Sequence, residues 1–150
     1  MRIVIQRVSR ASVTIDGTRR SEIGRGLMVL VGVREGDTPS DVLWLAQKTV
    51  NMRIFDDERG VMNRSVLDVD GDLLVVSQFT LNASTKKGNR PSYIHAAGHE
   101  LAIPLYQHFC AEVSRLMGHS VKTGEFGANM QVELVNDGPV TIIVDSTLKE

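Results

Sequence analysis

This 150-residue chain lacks the features that mark secreted, membrane-spanning and strongly basic proteins. Cys110 is the only cysteine, so no disulfide can form within the chain, and a reducing compartment is expected. The longest apolar run, around residues 27–33, is far too short to span a bilayer. A formal net charge of −1 excludes a uniformly basic surface for nucleic acid but permits a local patch. We therefore expect a soluble, cytoplasmic protein.

Hydrophobic periodicity divides the chain into strands and two long helices. Apolar patterns predict strands near both ends and at 27–31 and 73–81, with a hairpin turn at Asp16-Gly17. A Thr-Pro-Ser-Asp start at 38–41 predicts the first helix, and an apolar stripe predicts the second over 101–117, with Pro104 in its first turn. Because repeats and linkers are absent, residues 1–150 are predicted to form one α/β domain of about seven strands and two long helices.

The strand that begins near residue 72 ends in polar residues rather than in a turn signal. A strand continuing through Ser77-Gln78-Phe79-Thr80-Leu81 would place Gln78 and Thr80 on one face, and Ser77 and Phe79 on the other. Buried hydroxyls and amides need hydrogen-bond partners, which neighbouring loops could supply without any function. The alternative is that a rigid strand end carries a binding site.

A cationic stretch follows this strand end. No acidic residue lies between Ser77 and His99, whereas Lys86, Lys87 and Arg90 all lie there, among loop-forming residues. A flexible cationic loop beside a polar strand end suits a substrate that bears phosphates. The alternative is a solvated loop whose charge is balanced by the acidic turns at 56–58 and 68–72.

The four histidines do not indicate a metal site. His95 and His99 are four residues apart, but the segment between them lacks the glutamate of a zinc-protease helix and contains Gly98. No cysteine or carboxylate cluster adds ligands at a characteristic spacing. We therefore predict no metal, and we interpret Cys110, in the middle of the second helix, as a small core residue.

Asn136-Asp137-Gly138-Pro139 separates two predicted strands, at 130–135 and 140–144. The first three residues are ordinary turn formers, but Pro139 removes a backbone donor and biases Gly138 toward an extended conformation. A Gly-Pro bond can also be cis. On its own, this segment predicts a turn.

Taken together, the segments SQFTL at 77–81 and NDGPVT at 136–141 closely resemble the signature pair of the D-aminoacyl-tRNA deacylases. The resemblance runs the whole length of the chain. It includes RIVIQRV at 2–8, GNRPS at 88–92 and GEFGANM at 124–130. One departure is Tyr93, at a position where we expect phenylalanine.

The resemblance implies a homodimer of compact α/β subunits with packed, barrel-like sheets. Such an enzyme hydrolyses the ester between a D-amino acid and the 3′ end of tRNA. If an L side chain is rejected by exclusion, we expect glycine, which has no side chain to reject, to be removed from tRNA as well. The resemblance implies no cofactor and no metal, and neither DNA nor a membrane as a partner.

The resemblance also assigns roles to residues. The pocket for the terminal adenosine and the aminoacyl group would be lined by Ser77, Gln78, Phe79, Thr80, Phe126 and Met130. Gly138 and Pro139, joined by a cis peptide and supported by Arg7, would enter the pocket of the partner subunit. Their carbonyls would lie at the substrate's α-carbon and exclude an L side chain. Our candidates for binding RNA phosphates are Lys86, Lys87 and Arg90.

Thr80 could act as a nucleophile or as a positioning residue. An internal threonine hydroxyl needs a base, and no histidine, lysine or carboxylate lies near it in sequence. The substrate, however, carries a ribose 2′-OH beside its 3′-ester, and this group could attack directly or orient a water. Backbone N–H groups of Phe79 and Thr80 would then stabilise the oxyanion. We favour this RNA-assisted route, with nucleophilic attack by Thr80 as the alternative.

Three other functions remain open from the sequence. An L-specific editing domain of the same fold, as found attached to some threonyl-tRNA synthetases, would be expected to lack the intact Gly138-Pro139 pair. A non-catalytic RNA-binding module would bind without turnover. A general serine or threonine hydrolase would cleave small esters that carry no ribose.

Overall fold

The computed structural model describes residues 1–149, which form eight strands, two α-helices and one 3₁₀ turn. The strands are β1 (Arg2–Ile15), β2 (Thr18–Ile23), β3 (Gly26–Gly32), β4 (Phe55–Asp56), β5 (Met62–Arg64), β6 (Asp72–Ser77), β7 (Lys122–Thr123) and β8 (Gln131–Asp145). The helices are α1 (Pro39–Asn51) and α2 (His99–Met117), and the 3₁₀ turn is Phe79–Asn82. The predicted α/β class is confirmed.

Six of the strands form one curved sheet. The long strand β1 pairs antiparallel with β8 along one edge, and with β3 and then β2 along the other. β6 lies parallel to β3, and β7 lies parallel to β6. The Ser21 hydroxyl on β2 donates to the Thr123 carbonyl on β7 at 2.7 Å, so the two ends of the strand order meet. The sheet is therefore nearly closed and barrel-like, as predicted.

Both helices pack together over an apolar core. The parallel strand β6 is buried along residues 73–76, which agrees with its continuous apolar sequence. α1 begins as predicted, because the Thr38 N–H donates to Asp41 Oδ2 at 2.8 Å in the first turn. α2 ends at Gly118, whose φ of 79° is the left-handed conformation of a C-terminal cap. Neither helix within residues 1–149 is long and apolar enough to cross a membrane.

α2 begins two residues earlier than predicted, so the placement of Pro104 in its first turn is wrong. Pro104 lies in the second turn and cannot donate to the carbonyl of Glu100. Both residues are exposed, and solvent can therefore satisfy that carbonyl.

The predicted turn at 136–139 does not reverse the chain. β8 is one strand, paired with β1 on both sides of this segment: Thr141 lies opposite Gln6, and Asn136 lies opposite Val8. Residues 137–140 are thus a bulge opposite Arg7. The sequence suggested two strands because a hairpin turn and a large bulge use the same residue types.

Candidate active site

A cavity of about 470 Å³ lies where the carboxyl ends of β3 and β6 meet the start of α2 and the segment before β8. This volume falls in the range of small-molecule sites. Its wall combines apolar and aromatic side chains with a few polar groups. The lining residues are Val31, Val33, Val76, Ser77, Gln78, Phe79, Ala97, His99, Ala102, Tyr106, Phe126, Gly127, Ala128, Asn129, Met130 and Val132.

The polar strand end forms one wall of this cavity, but not in the predicted conformation. β6 stops at Ser77, and the next residues turn into the 3₁₀ segment instead of continuing as a strand. The Gln78 N–H donates to the Val31 carbonyl at 2.7 Å, and the buried Asn82 amide donates to the Val33 carbonyl at 2.9 Å. The turn is therefore held over the end of β3.

Gly32 explains why the turn can lie so close to β3. A Cβ atom on Gly32 would lie 3.0 Å from the Gln78 carbonyl oxygen and 3.0 Å from the Leu81 Cβ. The expectation that Gln78 and Thr80 share a strand face is accordingly wrong. The two side chains are nevertheless adjacent, because the 3₁₀ turn places the Gln78 amide within hydrogen-bond distance of the Thr80 hydroxyl.

Thr80 lies beside the cavity rather than among its lining residues. The Gln78 side-chain amide, which does line the cavity, donates to Thr80 Oγ1 at 2.5 Å. Within residues 1–149, no histidine, lysine or carboxylate hydrogen-bonds to this hydroxyl. Thr80 thus has no hydrogen-bonded base among the described residues, whereas a threonine nucleophile needs one.

The opposite wall is aromatic. Phe126 packs edge-on against His99, with ring centroids 5.6 Å apart, and it lies 5.8 Å from the ring of Tyr106. Met130, the other predicted residue on this side, packs over Gly124, where a Cβ atom would be only 2.4 Å from its sulfur. The hydroxyl of Tyr106 donates to the Val75 carbonyl at 2.9 Å, and burial raises the pKa of this hydroxyl well above its usual value.

His99 and Tyr106 line the cavity, although the sequence did not suggest them for the site. The sequence pointed to His99 only as a possible metal ligand beside His95. Its position at the first residue of α2, directly after an irregular segment, was the available signal. Tyr106 adjoins the predicted apolar stripe of α2 and could have been assigned to the wall on that ground.

Gly138 and Pro139 lie outside the cavity of their own subunit. They are exposed on the bulge of β8, their peptide bond is cis, and the φ of Gly138 is 128°. Arg7 holds the bulge from below: its Nε donates to the Asp137 carbonyl at 3.1 Å, and its Nη1 donates to the Ile54 carbonyl at 2.7 Å. The structure thus separates the predicted site residues into two groups: the residues at 77–80, 126 and 130, which lie at the cavity, and Gly138-Pro139, which lies on the bulge of β8.

The three candidate cations lie in an exposed loop. Reciprocal backbone hydrogen bonds of 2.8 and 2.9 Å between Ser84 and Ser92 close this loop. Lys86, Lys87 and Arg90 lie inside it, and none of them forms an ion pair within the described part of the chain. Their charges are therefore available to a ligand.

No group of three potential metal ligands occurs among residues 1–149. Burial raises the pKa of Cys110 to about 11, more than a hydrogen bond with Tyr106 lowers it. At neutral pH the thiol is thus protonated and a poor nucleophile.

The family model that matches this chain and the named relatives that resemble it point to one family. The family model for D-Tyr-tRNA(Tyr) deacylase matches residues 4–145. A protein of Bacteroides fragilis named D-aminoacyl-tRNA deacylase is 63% identical over 150 residues, which is 100% of both chains. A protein of Flavobacterium johnsoniae with the same name is 57% identical, also over 100% of both chains.

Two solved structures are similar as well. One, named c-Myc DNA Unwinding Element Binding Protein, has a TM-score of 0.91 and 42% identity, covering 97% of this chain and 98% of its own. Another, described as a probable eukaryotic D-amino acid tRNA deacylase, has a TM-score of 0.82 and 17% identity, covering 95% and 97%, and supports the fold alone. The full-length match to the family model and to these relatives shows that the chain belongs to the D-Tyr-tRNA(Tyr) deacylase family.

Proposed function

We propose that this protein hydrolyses the ester that joins a D-amino acid to the 3′-terminal adenosine of tRNA, and that it acts in the cytoplasm as a single domain. The observation that carries this proposal is the assembly of one cavity from residues distant in sequence: Ser77, Gln78, Phe79, Phe126 and Met130. An apolar and aromatic cavity with a few polar groups suits a nucleoside with an attached acyl group. The reaction itself, hydrolysis of D-aminoacyl-tRNA, is inferred from the family to which the chain belongs.

In this proposal Thr80 aligns the substrate and does not attack it. Its hydroxyl accepts a hydrogen bond from Gln78, which lines the cavity, so the two side chains form one polar unit at the wall. The ribose 2′-OH of the substrate either orients the water molecule that attacks the ester carbonyl, or first accepts the acyl group as a 2′-ester that water then hydrolyses. In both routes the bond between the acyl carbon and the ribose oxygen breaks, that oxygen takes a proton, and free D-amino acid and tRNA are released. Backbone N–H groups near Phe79 and Thr80 stabilise the charge that develops on the ester oxygen.

Selection against L-amino acids requires a second subunit. Gly138 and Pro139 are exposed and lie outside their own cavity, so they are free to enter another one. β8 pairs with β1 alone within residues 1–149, so its other edge carries unpaired backbone groups, and the side chains of Val135 and Ile143 on this strand are exposed. Long unpaired strands with apolar side chains favour association. We therefore propose a homodimer that contacts along β8.

Arg7 supports the Gly138-Pro139 motif in this proposal. Its guanidinium is buried and joins the bulge to Ile54 and Asp56 of a neighbouring segment. With the bulge fixed, its carbonyls meet the α-carbon of a substrate in the partner's cavity, where an L side chain would collide. Because discrimination works by exclusion, the D side chain itself should matter little, and glycine should also be removed from tRNA.

Lys86, Lys87 and Arg90 are proposed to bind phosphates of the tRNA acceptor end. Reversal of these charges should weaken tRNA binding and reduce its dependence on salt, since fewer counterions would be released. If the salt dependence stayed unchanged, the RNA would have to follow another path, for example past the exposed Lys122, since Arg7 is buried.

One set of deacylation assays tests the reaction and the role of Thr80. The substrates are D-tyrosyl-tRNA, L-tyrosyl-tRNA, glycyl-tRNA and a D-tyrosyl-tRNA that lacks the terminal 2′-OH. The proteins are the wild type, Thr80→Ala and the control Thr18→Ala, which changes an exposed threonine on β2, outside the cavity and the cationic loop. We expect hydrolysis of the D-tyrosyl and glycyl substrates only, and a large loss without the 2′-OH.

Several results would contradict the proposal. Full activity on the substrate without the 2′-OH, together with loss of activity in Thr80→Ala, would make Thr80 the nucleophile. Binding without turnover would indicate an RNA-binding module, hydrolysis of L-tyrosyl-tRNA an L-specific domain, and cleavage of esters without ribose a general hydrolase. Because one similar solved structure is named for binding DNA, duplex DNA should be included as a competitor. Inhibition by DNA as strong as by uncharged tRNA would show that our expectation of no DNA partner is wrong.

A further inference from the structure

Two aromatic side chains are exposed side by side at the rim of the cavity. Phe79 is 57% exposed and Tyr93 is 41% exposed, and their ring centroids are 5.0 Å apart at an interplanar angle of 69°. Adjacent exposed aromatic rings form an apolar surface that is unusual on a protein without a ligand. The proposed reaction uses Phe79 only through its backbone and as part of the wall, and it assigns nothing to Tyr93.

The position of this pair connects the cavity to the cationic loop. Phe79 lines the cavity. Tyr93 directly follows Ser92, whose hydrogen bonds with Ser84 close the loop that carries the three cations. A ligand that leaves the cavity past Phe79 would therefore cross Tyr93 before it reached the positive charges.

We infer that the ring of Tyr93, held in an edge-to-face contact with Phe79, is a stacking platform for the base of the nucleotide that precedes the terminal adenosine in the single-stranded RNA tail. This inference rests on the proposed function and specifies how far along the tail the protein makes contact. Aromatic rings beside a cationic groove are the usual combination for single-stranded nucleic acid, because bases stack on the rings while phosphates meet the cations.

Charge favours RNA over a second protein copy as the occupant. The stretch from Ser77 to His99 contains no acidic residue, so an anionic backbone meets no repulsion from it. The unpaired strand β8, with its exposed Val135 and Ile143, is a separate surface that we have already proposed for association between copies. The aromatic pair is therefore assigned to the nucleic acid.

Short substrates can isolate this contact. D-tyrosyl esters of adenosine, of a dinucleotide ending in adenosine and of a trinucleotide ending in adenosine would be compared on the wild type, Tyr93→Leu and Tyr93→Phe. The readout is the ratio of kcat/KM for the dinucleotide to that for adenosine. We expect Tyr93→Leu to reduce this ratio by roughly tenfold, since the stacked base loses its partner, whereas Tyr93→Phe keeps it.

The results separate the inference from the proposed function. If the wild type cleaves the esters but Tyr93→Leu and Tyr93→Phe give the same ratio, the platform is refuted and the reaction stands. If neither the short esters nor D-tyrosyl-tRNA is cleaved, the proposed function fails, and direct titration with the uncharged trinucleotide still decides the platform by the same comparison of variants. Light scattering completes the test: conversion of a dimer to a monomer by Tyr93→Leu would assign the ring to a subunit interface and overturn the inference.

Discussion

The two groups of predicted site residues are held by different kinds of interaction. The group at 77–80 follows β6, a strand that is buried along 73–76 and paired on both sides. The group at 136–139 lies on β8, an exposed strand that is paired on one side within the described residues. Apolar packing of β6, together with hydrogen bonds to the Val31 and Val33 carbonyls, fixes the first group, whereas hydrogen bonds from a few polar side chains fix the second.

This difference matches the tasks that we propose for the two groups. A pocket for a nucleoside needs a wall that keeps its shape without the ligand, and a wall on a core strand has that property. A motif that enters another subunit has to be exposed, so it cannot be fixed by burial. Substitutions in the core should therefore affect stability, whereas substitutions around the bulge should affect the choice between D- and L-substrates.

The largest expected effect on stability comes from the core that supports the pocket. Phe109 of α2 is fully buried, and Phe109→Ala should lower the free energy of unfolding by about 3–5 kcal/mol because it leaves a cavity. Urea denaturation measures this loss. In the folded fraction, the ratio of D- to L-activity should stay as in the wild type. A changed ratio would show that the core and the bulge are coupled, against our comparison.

Arg7→Met should have the next largest effect and should change selectivity. The methionine keeps the apolar part of the side chain, but the carbonyls of Ile54 and Asp137 lose a charged donor, at a cost of roughly 3 kcal/mol. We expect L-tyrosyl-tRNA to become a substrate while KM for D-tyrosyl-tRNA changes little. Arg7→Lys is the control: it keeps the charge without the guanidinium fork and should be intermediate. Unchanged selectivity in both variants would remove Arg7 from the motif's support.

Asp145 is the last residue of β8, and its ionisation should make the stability of the protein depend on pH. Burial raises the pKa of this carboxyl, but hydrogen bonds from the Thr147 N–H and the Arg2 guanidinium, both at 2.9 Å, together lower it below the usual value. A lowered pKa means that the ionised group stabilises the fold above about pH 4, and that this contribution disappears as the pH falls through the lowered value. Asp145→Asn should therefore cost about 2 kcal/mol at neutral pH.

The difference between the wild type and Asp145→Asn should be constant between pH 5 and 8, and should shrink below about pH 4. Urea denaturation across this range measures it. A difference that persisted unchanged at the acidic end would show that the carboxylate charge does not anchor β8.

The sequence predicted those parts of the molecule that depend on local pattern. Both helices, the Asp16-Gly17 turn and the buried strands follow from periodicity and from capping residues. The resemblance added the residues of the pocket, five of which the structure brings to one cavity. Roles that depend on a substrate or on a second subunit remain predictions.

The errors arose where tertiary contacts override local preference. A strand through Leu81 is compatible with the side-chain pattern, but hydrogen bonds to Val31 and Val33 pull the chain over the end of β3. The segment at 136–139 has the residues of a hairpin turn, yet β1 continues past it and pairs with β8 on both sides. Neither β3 nor β1 can be identified as the partner of these segments from the local sequence or its periodicity.

The smallest expected effect concerns the local hydrogen bonds that close the bulge. Asn136 accepts from the Val140 N–H at 3.2 Å and donates to Thr141 Oγ1 at 3.1 Å, so its side chain bridges the bulge. Asn136→Ala should lower stability by only about 0.5–1 kcal/mol, because exposed groups regain hydrogen bonds with water. It should nevertheless raise the relative rate on L-tyrosyl-tRNA, since Gly138 and Pro139 are less firmly placed. Asn51→Ala, which removes an exposed side chain at the end of α1 and outside the bulge, should leave selectivity unchanged. If both variants behaved alike, Arg7 alone would hold the motif, and the polar network around the bulge would be smaller than we infer.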